Sequence, residues 1–157
     1  MTGPAEIAQL SLMSPLGDLT VTAEAGAIVA LDWGRGPRAF QAEWPVLVAA
    51  RDQLNGYFDG AADPFDIPLR PAGSAFAQTV WRALRAIPHG ETRSYGEIAR
   101  RIGGTPRAVG RACGANPIPI IQPCHRVLAA GGQLGGYSGA GGVETKAALL
   151  RLEGALL

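Results

Sequence analysis

Cysteine is scarce in this 157-residue chain, which has two, at positions 113 and 124. Two thiols cannot form the disulfide framework of a small secreted domain, so a reducing compartment, the cytoplasm, is expected. Histidine is equally scarce, and Cys113, Cys124, His125 and His89 match no zinc-ligand spacing, so no metal is expected. No apolar run approaches the ~20 residues that cross a bilayer, and no membrane partner is expected. The start, Met1-Thr2-Gly3-Pro4-Ala5-Glu6, lacks the basic and apolar regions of a signal peptide. No GxGxxG or Walker-type loop is present, so the 22 glycines do not imply a nucleotide cofactor. Charged residues make up 17 % and hydrophobic ones 47 %, a globular composition at a length that fits one domain or two small ones.

The net charge of +1 conceals an uneven distribution. Residues 1–80 carry four arginines against nine acids. Residues 81–126 carry eight arginines against Glu91 and Glu97. A neutral protein with an arginine-rich middle suits a polyanion laid along one face, although a solvated helical surface has the same composition.

Periodicity divides the chain near residue 70. Before it, three alternating stretches (8–13, 19–23 and 28–33) separated by turn residues predict an antiparallel meander. Pro45 suits the first turn of a helix carrying Leu47, Ala50, Leu54 and Tyr57 or Phe58 at helical spacing. A proline- and glycine-rich stretch, 63–73, reads as a linker with one short strand at most. After it the pattern is helical. Ser74 is placed to cap a helix burying Phe76, Val80 and Leu84, and Ser94-Tyr95-Gly96-Glu97 is a capping-box sequence. Thr105-Pro106 opens a third helix carrying Arg107 and Arg111, so that two short helices flank Gly103-Gly104 in a helix-turn-helix arrangement. A hairpin is expected over 127–134, and a last helix from about Val143 to Glu153. The expected fold is α+β, with residues 1–70 a small sheet-and-helix domain and residues 71–157 a mainly helical one.

The chemistry concentrates at Pro123-Cys124-His125-Arg126. Three prolines between 117 and 123 bar that stretch from being a helix interior or a central strand. Cys124 adjoins an imidazole and lies near arginines, surroundings that favour thiolate, whereas Cys113, mid-helix without such neighbours, reads as structural. Adjacent side chains on an extended segment point to opposite sides, so a bridging water between Cys124 and His125 is one solution. Glu153, among Leu149, Leu150 and Leu152, is a candidate to orient the histidine, with an exposed helix-end acid as the alternative. Taken alone, Tyr95 and Tyr137 read as core aromatics, the commoner fate of tyrosine, and Asn116 and Ser138 as turn residues.

Together these residues resemble the O6-alkylguanine-DNA alkyltransferases. The likeness covers about Phe76 to Glu153, through Ile87-Pro88-His89-Gly90-Glu91-Thr92, Ser94-Tyr95-Gly96-Glu97-Ile98-Ala99, Arg107-Ala108-Val109-Gly110, Asn116-Pro117-Ile118-Pro119-Ile120-Ile121, Pro123-Cys124-His125-Arg126-Val127 and Gly135-Gly136-Tyr137-Ser138-Gly139. It implies a ribonuclease H-like N-terminal domain and a C-terminal domain bearing the active cysteine. The implied activity is single-turnover transfer of an alkyl group from O6-alkylguanine in double-stranded DNA to Cys124, with O4-methylthymine a further candidate substrate. By the same resemblance His125 activates Cys124 through water, Glu153 orients His125, and Asn116 pins the segment ahead of the cysteine. Tyr95 and Ser138 meet the flipped base beside Tyr137, main chain at Val127 reads its exocyclic amine, and Arg107 fills the gap in the duplex, with Arg111 alongside on the DNA. No cofactor and a monomer are implied.

The chain departs from the family pattern in three places. It is about two residues shorter between Tyr95 and Arg107, about two longer through Gly139-Ala140-Gly141-Gly142, and has Gln122 where an apolar residue is usual. A base-flipping damage binder and a thiol hydrolase built on Cys124, His125 and Glu153 are the competing readings.

Overall fold

The computed structural model describes residues 6–156, which form two compact units, one up to Ala72 and the other from Gly73. The first is a three-stranded antiparallel sheet in the order β1 (Ile7–Leu12), β2 (Leu19–Glu24), β3 (Ala27–Trp33), with helix α1 (Pro45–Phe58) against it. Register pairs Leu10 with Val21 and Val21 with Leu31, so alternate apolar residues line one face. Leu47, Ala50 and Leu54 of α1 are buried, as the helical spacing predicts, and of the pair Tyr57 and Phe58 it is Tyr57 that is buried. The central strand also buries Thr20 and Thr22, whose hydroxyls bond to Ser11 and Gln9 at 2.9 and 3.1 Å. Leu69 forms a single parallel bridge to Ile28, the short strand expected inside the linker.

The second unit is mainly helical. In α2 (Ala75–Arg85) the Ser74 hydroxyl accepts from Ala77 N–H at 3.1 Å. The helix buries Ala77, Val80, Trp81 and Leu84. Trp81 replaces Phe76 as the large core aromatic: its indole N–H donates to the Ala112 carbonyl at 2.9 Å, while Phe76, 37 % exposed, lies over Gly104. Ser94 caps α3 (Tyr95–Ile102) through Glu97 N–H, and Thr105 caps α4 (Pro106–Gly114) through Ala108 N–H. Gly103, at φ 79°, ψ 44°, ends α3 in the left-handed conformation. The shortened connection is thus a closed three-residue turn, and α3 and α4 form the expected helix-turn-helix.

The hairpin expected over 127–134 is replaced by other pairing. Strand β5 (Val127–Leu128) runs parallel to β4 (Arg93–Ser94). Positive φ at Gly131 and Gly132 turns residues 130–132 into a tight helical turn, leaving one bond, Ala129 N–H to the Gln133 carbonyl, across the loop. Helix α5 (Val143–Leu152) closes the unit. The lengthened glycine loop folds back at its start, with Gly142 N–H donating to the Gly139 carbonyl and Thr145 Oγ1 to the Ala140 carbonyl. Among the described residues no helix is long and apolar enough to cross a membrane, and no group of three metal-ligating side chains is gathered.

Candidate active site

The path into Cys124 is strained. Ile120, fully buried and β-branched, has φ 72°, and Ile121 N–H donates to the Pro119 carbonyl at 2.9 Å, closing a γ-turn around it. A second γ-turn, of the relaxed hand, centres on Pro123 (φ −80°, ψ 68°), where Cys124 N–H donates to the Gln122 carbonyl at 2.8 Å. Strain of this kind costs about 1–3 kcal/mol and persists where its surroundings over-determine it. Here the Asn116 side chain accepts from Ile118 N–H and donates to the Gln122 carbonyl, at 2.9 and 2.8 Å. The unusual backbone thus delivers one thiol to one place.

Residues 124–126 form a 3-10 turn, not the extended segment expected. All three side chains are buried. His125 Nε2 lies 2.6 Å from Glu153 Oε2, and the Arg126 guanidinium grips the same carboxylate with Nε to Oε1 at 2.8 Å and Nη2 to Oε2 at 3.1 Å. Arg126 Nη1 also donates to the Ile87 carbonyl at 2.7 Å. A carboxylate held by a guanidinium fork is ionised and only accepts, so His125 must donate from Nε2. Burial pushes the imidazole pKa down, overriding the upward pull of Glu153. A neutral ring with its proton on Nε2 leaves a lone pair on Nδ1, which is buried and has no hydrogen-bond partner among the described residues. Glu153 is therefore no exposed helix-end acid. Arg126, counted by sequence among the polyanion-binding arginines, is instead spent inside.

Cys124 lines a cavity of about 810 Å³ whose wall also includes Tyr95, Cys113, Gly136, Tyr137 and Ser138. Residues 139–142 are not part of that wall. Burial raises the Cys124 pKa, opposed by hydrogen bonding from Asn116 and by the charge of Lys146. Burial likewise lifts Cys113 and Tyr95 to about 12 each, and Tyr137 further still. The resting cavity is therefore lined by protonated thiols and phenols, and the expected thiolate is not the resting state. The cation facing Cys124 is Lys146, whereas the nearby Arg126 is neutralised by Glu153. Tyr137 Oη is buried without a hydrogen-bond partner among the described residues.

Lys146, for which the sequence suggested no role, is fully buried on α5. Its ammonium donates to the carbonyls of Val127 (2.6 Å), Leu134 and Gly136 (3.2 Å), and lies 5.8 Å from the centre of the Tyr95 ring. It ties β5, the glycine loop and α3 around the cavity. Val127 is buried behind the wall, its carbonyl engaged by this lysine. Arg107 and Arg111 are exposed on α4, and Pro106, immediately before Arg107, lines the cavity.

The same division appears in comparisons with known proteins. The model of the 6-O-methylguanine DNA methyltransferase DNA binding domain matches residues 75–155, and that of the ribonuclease-like domain of the same protein matches 9–71. The chain belongs to this family. It is similar to the methylated-DNA--protein-cysteine methyltransferase of Mycobacterium bovis, 47 % identical over 154 residues, covering 89 % of this chain and 88 % of the relative. It is also similar to the protein of that name from Methanosarcina acetivorans, 42 % identical over 149 residues, with 90 % and 94 % covered. The crystal structure of Mycobacterium tuberculosis OGT in complex with DNA superposes with a TM-score of 0.82 at 46 % identity, over 94 % of this chain and 93 % of that one. The α+β class expected for the 6-O-methylguanine DNA methyltransferase family is the class found.

Proposed function

We propose that this protein repairs O6-alkylguanine in double-stranded DNA by moving the alkyl group, once, onto Cys124 Sγ. The observation that carries the reading is a buried Cys124 on a cavity wall beside a His125–Glu153 pair whose remaining imidazole nitrogen is a bare base. A base within the helical stack cannot reach such a thiol, so the damaged nucleotide must be extruded, at a cost of a few kcal/mol. Arg107 fills the gap it leaves, and Arg111 with the other exposed arginines binds phosphates, which offsets that cost.

In the cavity, Cys124 passes its proton through a bridging water to His125 Nδ1, and the imidazolium formed is stabilised by Glu153. The sulfur attacks the alkyl carbon in line with the C–O bond. The S–C bond forms and the C–O pair leaves on O6 of guanine. Negative charge therefore develops on the base, and protonated phenols are the right groups to meet it. Tyr95 donates to the ring and helps neutralise it, Ser138 faces the O6 side, Tyr137 Oη supplies a further donor, and main chain at Val127 contributes to reading the amine. Asn116 holds the segment that presents the thiol. The thioether has no partner here to hydrolyse it, so each molecule acts once.

On this reading residues 71–157 carry binding and chemistry, residues 1–70 form the accompanying domain, and the protein works as a monomer in the cytoplasm without cofactor or metal. O4-methylthymine is the second substrate to test. The deciding experiment is peptide mass spectrometry after incubation with duplex DNA containing O6-methylguanine. One methyl on the Cys124 peptide, at one equivalent of repaired DNA, is expected. An unmodified Cys124 peptide beside unrepaired DNA, or continued turnover past one equivalent, overturns the reading.

A further inference from the structure

Gln122 breaks the apolar pattern ahead of Pro123-Cys124, yet its side chain is fully buried. A buried primary amide is tolerated where its nitrogen and its oxygen are hydrogen-bonded, and here both are, in a particular order. Arg85, in the last turn of α2, donates from Nη1 to Gln122 Oε1. Gln122 Nε2 then donates to Asn116 Oδ1 at 2.8 Å. Asn116 Oδ1 accepts a second bond, from Ile118 N–H, while Nδ2 donates to the Gln122 carbonyl, the same oxygen that accepts from Cys124 N–H at 2.8 Å.

The order has a direction. An amide can be turned end for end at little cost in shape, so its orientation is decided by its neighbours. A guanidinium has five donors and no acceptor, so it accepts only the oxygen end of Gln122. That leaves the Gln122 NH2 pointing at Asn116, which must answer with its own oxygen. The Asn116 NH2 is thereby committed to the other side, to the Gln122 carbonyl that also holds Cys124 N–H, and hydrogen bonding from this amide pulls the Cys124 pKa down.

The geometry points to Gln122 and Arg85 as positioning residues for the transfer reaction, a one-way relay that fixes the Asn116 amide with its donor end toward Cys124. They act through Asn116 and do not touch the substrate. The inference rests on the proposed role of Asn116 in presenting Cys124. The charged and titratable groups facing the thiol, Lys146 from α5, Cys113 from α4, Tyr95 from α3, Tyr137 and the adjoining His125, are left untouched.

The test is the pH dependence of Cys124 alkylation by free O6-benzylguanine, which removes DNA binding from the measurement. Gln122→Glu keeps the pairing with Arg85 but confronts Asn116 Oδ1 with a second acceptor, and Gln122→Leu removes the relay with an apolar side chain that suits the site. In both, the midpoint of the pH profile is expected to rise by about one unit, the worth of one hydrogen bond, and the rate at neutral pH to fall about three- to tenfold. Arg85→Met should shift the profile the same way, and Arg85→Lys, again a group that only donates, should restore it. Thermal unfolding of each variant separates the effect from misfolding, since loss of structure lowers the reactive fraction without moving the midpoint. An unmoved midpoint in the folded Gln122 variants overturns the relay. Asn116→Ala distinguishes the layers: if it moves the midpoint while the Gln122 and Arg85 variants do not, the relay alone fails. If Asn116→Ala also leaves the midpoint in place, the role of Asn116 falls with it.

Discussion

Glu153 Oε2 stands 2.6 Å from His125 Nε2 while the Arg126 fork holds both oxygens of the same carboxylate, and the histidine and glutamate side chains are sealed from solvent. One acid therefore serves two donor side chains: it fixes a tautomer and neutralises a buried guanidinium. Removing it does two kinds of harm. Glu153→Ala leaves Arg126 buried without a counter-charge, a situation that costs about 3–5 kcal/mol. Denaturant unfolding is expected to show that loss. Glu153→Gln, which keeps the shape, is expected to fold better yet react slowly, because the amide is a weaker acceptor and no longer balances an imidazolium. Full-rate transfer by folded Glu153→Gln would mean that His125 is not the base.

His125 also sets a stability window. Its pKa is lowered on folding from the ordinary 6.5, chiefly by burial, so below that value the unfolded chain takes up a proton that the folded one resists. The histidine's contribution is thus fully present above about 6.5 and is lost as pH falls toward its folded pKa. Urea midpoints measured from pH 7.5 down to pH 5 are expected to decline, and the decline should be shallower in His125→Gln. Parallel curves for the two proteins would show that the imidazole takes up its proton as readily folded as unfolded.

Much of this architecture could be read from residues, and where reading failed the reason was tertiary. Ser74, Ser94 and Thr105 announce their helices because capping is a local bond within one turn. Trp81 outranks Phe76 because the choice of core aromatic depends on where the Ala112 carbonyl and Gly73 lie in space. β5 pairs with β4 and not with its own sequel, since a partner more than thirty residues away leaves no mark on local periodicity. Cys124 and His125 were evident from their chemistry. Arg126 and Lys146 were not, because a charged residue in sequence carries no sign that it is buried, and both lie inside with their partners around them.

Cys113 shares the cavity wall with Cys124, so selectivity between two thiols becomes a sharp test. Cys113 is held as a thiol at about 12 with desolvation dominant, and it has no adjoining histidine. For Cys124, unlike Cys113, hydrogen bonding from Asn116 opposes the upward shift that burial causes. Cys124→Ala is expected to abolish transfer while leaving affinity for duplex DNA within about twofold, as a small change at a buried position of the cavity wall removes no phosphate contact. Cys113→Ala is expected to retain transfer. Peptide mapping and gel shift on both variants check this, and alkyl found on Cys113 in the wild type would require a different acceptor geometry.

Arg107 is exposed at the first turn of α4, next to Pro106 on the cavity wall. If it fills the gap left by the extruded base, its contribution is confined to stacked DNA. Arg107→Ala is then expected to slow repair of duplex O6-methylguanine by about tenfold, the scale of a lost share of the extrusion cost. Its reaction with free O6-benzylguanine should stay at the wild-type rate, because no base has to be flipped. Arg111→Ala, in contrast, should weaken duplex binding in a salt-dependent way, lowering the slope of log affinity against log salt by about one. Competition assays at several salt concentrations, run beside the free-base reaction, separate the two arginines. Equal losses on duplex and free base for Arg107→Ala would place its effect in the pocket and not in the DNA.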